Sequence, residues 1–153
     1  MPYRKTNYKR RFYSKDKYSV EQYSFTATLA TTQTNNLYQG AVTVVPTSTT
    51  QGMRKVKHLT VSLNFNLGSF LYWALVYVPE GYTYNPLNSQ GSLYEPNQFV
   101  MSSGLLNNNA GPSRITTPLA RNLNSGDSIY LILGSTSSGN TVRGLIKYAV
   151  TLQ

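Results

Sequence analysis

The chain has 153 residues, a net charge of +9 and no cysteine, with 13 tyrosines and one histidine. That length predicts one domain with a tail and a core that needs no staple. The missing cysteines exclude a disulfide framework, a thiolate zinc site and a cysteine nucleophile.

The first predicted element is an arm, residues 1–17. It holds Arg4, Lys5, Lys9, Arg10, Arg11, Lys15 and Lys17 against Asp16 alone, a net of +6, and leaves +3 for the other 136 residues. A terminal block of this kind reads as an extended or disordered arm that binds a polyanion. A nuclear-import signal around "YKRRF" is the other reading, and the two are compatible. Tyr3, Tyr8, Tyr13, Tyr18 and Tyr23 recur at every fifth position. A step of five spirals around an α-helix and alternates faces on a strand, so it makes no tyrosine face on either. In an extended chain each ring can stack on an unpaired base while neighbouring Lys and Arg meet phosphates. Stacking is worth about 1–3 kcal/mol per base, and the cations add a salt-dependent, sequence-independent term. Such an arm favours single-stranded nucleic acid. Tyr3, Tyr8 and Tyr13 are assigned to the ligand, Tyr23 to the first strand and Tyr18 to the join.

From residue 20 the signals are those of strands. Tyr23, Phe25, Ala27 and Leu29 alternate with small polar residues, as do Leu59, Val61, Leu63, Phe65 and Leu67. This is the period of half-buried strands. "FLYWALVYV" and "YLILG" are apolar on both faces, as central strands are. "TVRGLIKYAVTLQ" places Val142, Ile146, Tyr148 and Val150 on one face, with Arg143, Lys147 and Thr151 on the other. Eight strands are predicted, near 20–32, 38–45, 55–67, 70–79, 97–103, 113–121, 128–134 and 141–152. Loops rich in Gly, Pro, Asn and Ser separate them at 46–52, 80–96, 104–112, 123–127 and 134–140. The pattern predicts an all-β, two-sheet sandwich over residues 18–153, and both jelly-roll and immunoglobulin-like arrangements fit it.

Chemistry-bearing groups are sparse. Glu80 and Glu95 flank one loop and could form an acid/base pair, but they read better as loop carboxylates. Ser125, His58 and Asp127 are formally a nucleophilic triad. However, "NSGDS" reads as a hairpin turn with Gly126 at positive φ, and His58 as a structural or edge residue. No phosphate loop and no carboxylate cluster for calcium is present in the sequence. No enzyme, cofactor or metal is expected. A second basic group, Arg54, Lys55 and Lys57, leads into the strand at 59–67. It reads either as a solvated strand start or as a continuation of the arm's basic surface, which Arg114 and Arg121 could join. The longest apolar run is about half of what a membrane-spanning helix needs. No signal peptide is recognisable, so a soluble intracellular product without a membrane partner is expected.

"LYWALVYVPEGYTYNPLN", "SLYEPNQFVMSSG", "LARNLNSGDSIYLIL" and "KYAVTLQ", in that order over residues 53–153, resemble coat proteins of small circular single-stranded DNA viruses that encode their own replication initiator, the circovirus-like viruses. The resemblance implies an eight-stranded antiparallel viral jelly roll. It also implies self-assembly, as a homo-oligomer of sixty copies in a small icosahedral shell, and packaging of a single-stranded DNA genome by the basic arm. The location implied is the virion, with assembly in the host nucleus. The alternative is a cellular single-stranded nucleic-acid-binding module on a small β-sandwich or barrel. A carbohydrate-binding sandwich fits the basic arm poorly.

Overall fold

The computed structural model describes residues 18–49, 51–65, 70–84, 86–87, 99–107, 113–117, 120–138 and 141–152. These residues form ten strands and no helix: β1 (Ser19–Thr28), β2 (Gln33–Thr34), β3 (Leu37–Val45), β4 (Arg54–Phe65), β5 (Leu71–Val78), β6 (Phe99–Leu106), β7 (Ser113–Thr116), β8 (Arg121–Leu123), β9 (Ser128–Ser135) and β10 (Thr141–Leu152). One sheet runs β1-β10-β4-β7, with β8 also paired to β4. The other runs β2-β3-β9-β5-β6. Every pairing is antiparallel. The predicted two-sheet all-β sandwich is the observed architecture.

The core follows from strand alternation. Val56, Leu59, Val61 and Leu63 of β4 and Val142 and Ile146 of β10 meet Leu71 and Leu75 of β5 and Ile129, Leu131 and Leu133 of β9 in one cluster. Each of these side chains is 2% exposed or less, and full burial of such a side chain stabilises the fold by about 1.5–3 kcal/mol. Tyr23 packs at the edge of this cluster, as assigned from the sequence. Its hydroxyl donates to the backbone carbonyls of Thr43, at 3.0 Å, and Val44, so β1 of one sheet is pinned to β3 of the other.

The largely apolar strands β5 and β9 owe their composition to a second, smaller core. On the far face of their sheet, Leu37, Ala74, Val76, Val78 and Ile132 are covered by Leu87. Leu87 is fixed through its backbone: its N–H donates to Gln39 Oε1 at 2.7 Å, and its carbonyl accepts from Gln39 Nε2 at 2.7 Å. The Tyr84 ring lies 5.1 Å from that of Tyr130 on the same face.

Three strand boundaries differ from expectation. The predicted first strand, 20–32, ends at Thr28, and β2 then turns into β3 through Asn35 and Asn36, both at positive φ (51° and 65°). Two left-handed residues between paired strands make a type I′ hairpin turn, a conformation asparagine tolerates. The predicted strand at 113–121 is two pieces, β7 and β8, that pair with different stretches of β4. The sequence between them carries Pro118, which has no N–H to give a ladder. The fifth predicted strand extends to Leu106 because Leu106 reaches the core and Gly104 lies against the Trp73 indole; a Cβ there would sit 2.9 Å from Trp73 Cζ2. Ten strands rather than eight are therefore present among the described residues.

Candidate nucleic-acid interface

All seven Lys and Arg beyond residue 17 lie on strands of one sheet: Arg54, Lys55 and Lys57 on β4, Arg114 on β7, Arg121 on β8, Arg143 and Lys147 on β10. The strands of the other sheet contain no charged residue at all. The two are the charged sheet and the uncharged sheet below.

Register decides which cations share a face. Lys147 pairs with Thr60 and Gln22, Arg143 with Asn64 and Thr26, Arg114 with Ser62, and Lys57 with Ala149. Directly paired residues point the same way, so Lys57, Arg114, Arg143 and Lys147 stand on the solvent face opposite the core. Lys55, two residues from Lys57 and paired with Thr151 and Asn122, joins them. The rest of this face is Ser, Thr, Asn and Gln, apart from Tyr18, Val20, His58, Leu145 and Ala149. Among the described residues it carries no carboxylate. Glu21 alternates to the side of Tyr148 and Tyr23, where its charge helps to raise the pKa of both phenols after burial has done most of that work. Glu80 and Asp127 belong to the loop end of the sandwich.

The outward placement of Lys55 and Lys57 depends on an irregularity. Uninterrupted alternation from Leu59 would turn Lys57 and Lys55 into the core. Instead Val56 and Leu59, three residues apart, are both buried at 2% exposure. The extra residue is His58, exposed and at φ 55°, where the β4–β10 register shifts. This bulge reverses the parity of β4. His58 is thus structural in its backbone, and its imidazole stands on the charged face.

Arg54 and Arg121 do not join that face. Arg54 donates from Nη1 to the Pro46 carbonyl at 3.0 Å and from Nη2 to the Asp127 carbonyl at 3.2 Å. Arg121 lies with its guanidinium 4.2 Å from the Tyr77 ring centroid and 5.5 Å from that of Phe99. Of the basic group read from the sequence, Lys55 and Lys57 form the surface and Arg54 braces the loops instead. Of the two arginines that could join that surface, Arg114 stands on it and Arg121 does not. Arg143 and Lys147 were missed as surface cations: alternation placed them on one face of β10, but nothing in the sequence showed that β10 lies beside β4.

Tyr18 meets this surface directly. Lys57 Nζ sits 3.7 Å from the centroid of its ring, a cation–π contact. Tyr18, the residue that follows the arm in the sequence, therefore stands on the charged face. The arm residues Tyr3, Arg4, Lys5, Tyr8, Lys9, Arg10, Arg11, Tyr13, Lys15 and Lys17 lie outside the described residues, as does Glu95.

The formal triad does not come together. Asp127 is 4% exposed. It accepts from Tyr77 Oη at 2.6 Å, Asn124 N at 2.9 Å and Glu80 N at 3.0 Å. Ser125 Oγ donates to the Ser48 carbonyl at 2.9 Å. Gly126 adopts φ 86°, as the hairpin-turn reading required. Asp127 therefore ties its own turn to β5 and to the loop after β5 at one end of the sandwich, and it holds the Tyr77 phenol as its donor. Burial first, then the hydrogen bond to Asp127, pushes that phenol up to about 12. No group of three or more His, Asp or Glu that could hold a metal ion is found among the described residues.

No protein-family model and no curated protein matches the chain. Among the solved structures that match, one from work reporting that "Bacillus endospore appendages form a novel family of disulfide-linked pili" is 12% identical over 92% of this chain and 93% of its own, with a TM-score of 0.40. A likeness at that level carries no argument about fold or function.

Proposed function

We propose that this protein is a structural coat subunit that assembles with copies of itself and holds single-stranded DNA on its charged sheet and basic N-terminal arm. The carrying observation is the segregation of charge: the body's cations occupy one sheet, five of them on a solvent face without a described carboxylate, and Tyr18, which follows the arm in the sequence, stands on that same face. A subunit with one polycationic wall and one uncharged sheet is suited to a shell that is basic inside. Cationic side chains bind a polyanion through counterion release, and the Ser, Thr, Asn and Gln between them are ordinary phosphate and sugar partners. The uncharged sheet can meet other copies without like-charge repulsion. Its edge strand β6 leaves Phe99, Val100 and Leu105 exposed, and an uncovered apolar edge is prone to self-association.

The strand order supports a jelly roll. With β2 counted as the start of β3, and β7 and β8 as one interrupted strand, eight strands remain. They run first-eighth-third-sixth in one sheet and second-seventh-fourth-fifth in the other. The first strand pairs with the last, whereas in an immunoglobulin-like sandwich it pairs with the second. Two facing four-stranded sheets of Greek-key connection are the jelly-roll form, in keeping with the family resemblance. That resemblance supplies the icosahedral shell of sixty copies, the preference for DNA, the virion as destination and the nucleus as place of assembly. The role is structural, without catalysis or cofactor.

Electron microscopy of the purified protein across a salt series, followed by nuclease treatment of disrupted particles, tests the proposal. Uniform closed particles with a DNase-sensitive content are expected. Removal of residues 1–17 should leave cooperative unfolding intact and empty the particles. A monomer or dimer at every salt concentration, with and without nucleic acid, sinks the coat reading and leaves the cellular binding module.

A further inference from the structure

The charged face carries a recess. An open depression of about 400 Å³ lies across its middle strands. Thr60 and Ser62 of β4 form its floor. Arg114 of β7 bounds one side, and Leu145 and Lys147 of β10 bound the other. Gln22 reaches it from β1, and His58 stands at the bulge. Register explains the convergence. Ser62 is flanked by Arg114 and Leu145, and Thr60 by Lys147 on the β10 side. With strands about 4.8 Å apart and about 3.4 Å of rise per residue, the Arg114 and Lys147 Cα atoms stand roughly 12 Å apart across the floor. Two long cationic side chains at that spacing can close on one anion between them. Leu145 is 37% exposed on this polar face, an apolar platform beside the cation pair.

We infer that this depression seats one nucleotide unit of a single-stranded nucleic acid, with its phosphodiester between Arg114 and Lys147 and its sugar and base against Leu145. The inference rests on the nucleic-acid reading of the charged sheet and gives that reading a defined place. Three observations select this occupant. The recess holds two cations and no carboxylate, so it suits an anion. Its volume falls at the low end of the roughly 300–1,000 Å³ of small-ligand sites, the size of one nucleotide and too small for a duplex. It also continues the arm: Tyr18, on Lys57, precedes Gln22 by four residues, about 14 Å along β1. The seat reads no sequence. Its cations and hydroxyls meet phosphate and sugar, Leu145 offers apolar contact to any base, and the Gln22 amide both donates and accepts.

Fluorescence anisotropy of a labelled oligothymidylate with the full chain tests this, comparing Arg114→Gln/Lys147→Gln with Lys55→Gln/Arg143→Gln. The pairs remove equal charge from the same face, and all four side chains point to solvent, so thermal unfolding should be unchanged in both. The first pair should weaken binding about tenfold at 0.1 M salt. It should also lower the slope of log K against log salt by about 1.4, two single-strand contacts at about 0.7 each. The second pair should cost about two- to threefold. Equal losses in the two pairs, or none in the first, overturn the seat while leaving the charged-face reading standing. The same differential with a blunt duplex of equal length overturns the single-strand assignment. Failure of the parent chain to bind the oligonucleotide overturns both the seat and the reading beneath it.

Discussion

The two sheets of this sandwich solve the same packing problem with opposite surfaces. Both give one face to the shared core. The uncharged sheet also buries much of its second face, beneath Leu87 and beside Tyr84 and Tyr130, so its central strands β5 and β9 are apolar on both faces over most of their length. The charged sheet leaves its second face to solvent and fills it with hydroxyls, amides and cations. Double burial makes a sheet rigid and chemically silent. Single burial frees one side of every strand for recognition at no cost to the core. In this chain the body's cations have collected on the singly buried sheet, and alternation alone does not hold them out of the core: the bulge at His58 is needed for Lys55 and Lys57.

Glycine substitutions in the central strands probe the difference most strongly. Gly144, in β10 of the charged sheet, has no room: a Cβ would sit 2.1 Å from the Ser62 carbonyl oxygen and 2.9 Å from Phe25 Cε1. Gly134, in β9 of the uncharged sheet, faces the Cδ1 atoms of Leu87 and Leu37 at 3.2 and 3.3 Å, side-chain ends that can give way. Gly144→Ala should therefore destabilise by about 3 kcal/mol, at the upper end of overpacking costs. Gly134→Ala should cost under about 1 kcal/mol, since glycine is itself unfavourable in a strand. Urea unfolding midpoints at unchanged m-value measure both. Equal losses would mean that the charged sheet has slack that its close contacts deny.

A half-buried phenol in each sheet gives a second probe. Tyr77 donates to the Asp127 carboxylate and Tyr23 to two backbone carbonyls. Removing a hydrogen bond to a charged group costs about 1.5–3 kcal/mol and to a neutral one about 1. Tyr77→Phe should thus lose about 2 kcal/mol and Tyr23→Phe about 1. The pH dependence has a definite sign. Both phenols are pushed from 10.0 up to about 12, by burial above all. The folded state holds protons that the unfolded state releases, so stability is full below pH 10 and falls between pH 10 and about 12. Each Phe variant should flatten that fall, as read from denaturant midpoints between pH 8 and 12. An unchanged alkaline limb in both variants would show that neither phenol titrates against the fold.

How much of this was legible in sequence depends on range. Alternation along β1, β4 and β10, the apolar runs of β5 and β9, and the Gly126 turn are local, and the residues announce them. The Asn35–Asn36 turn was equally local and was passed over, although asparagine pairs are a known source of two left-handed residues. The charged face was legible only in fragments. Lys57 and Lys147 are 90 positions apart, and only the β4–β10 pairing unites them. Arg54 was grouped with Lys55 by adjacency, although adjacent strand residues face opposite ways. The bulge was hidden in a different sense. Leu59 to Leu67 and Val56 each look apolar and inward, and only their three-residue spacing betrays the extra residue.

The left-handed residues provide the finest contrast between the sheets. His58 in the charged sheet and Asn36 in the uncharged one both adopt positive φ, 55° and 65°. For most L-residues this conformation costs roughly 1–2 kcal/mol, while asparagine is among those that visit it routinely. Glycine relieves the strain but loses more chain entropy on folding. His58→Gly should therefore stabilise by about 1 kcal/mol, and Asn36→Gly should change stability by less than about 0.5 kcal/mol. The two variants separate strain from function, because the bulge survives in His58→Gly and keeps Lys55 and Lys57 on the solvent face. Stability should rise while oligonucleotide affinity stays within about twofold of the parent. A tenfold loss of affinity at raised stability would place the imidazole itself among the groups that touch the ligand, and would make the strained histidine a contact as well as a hinge of parity.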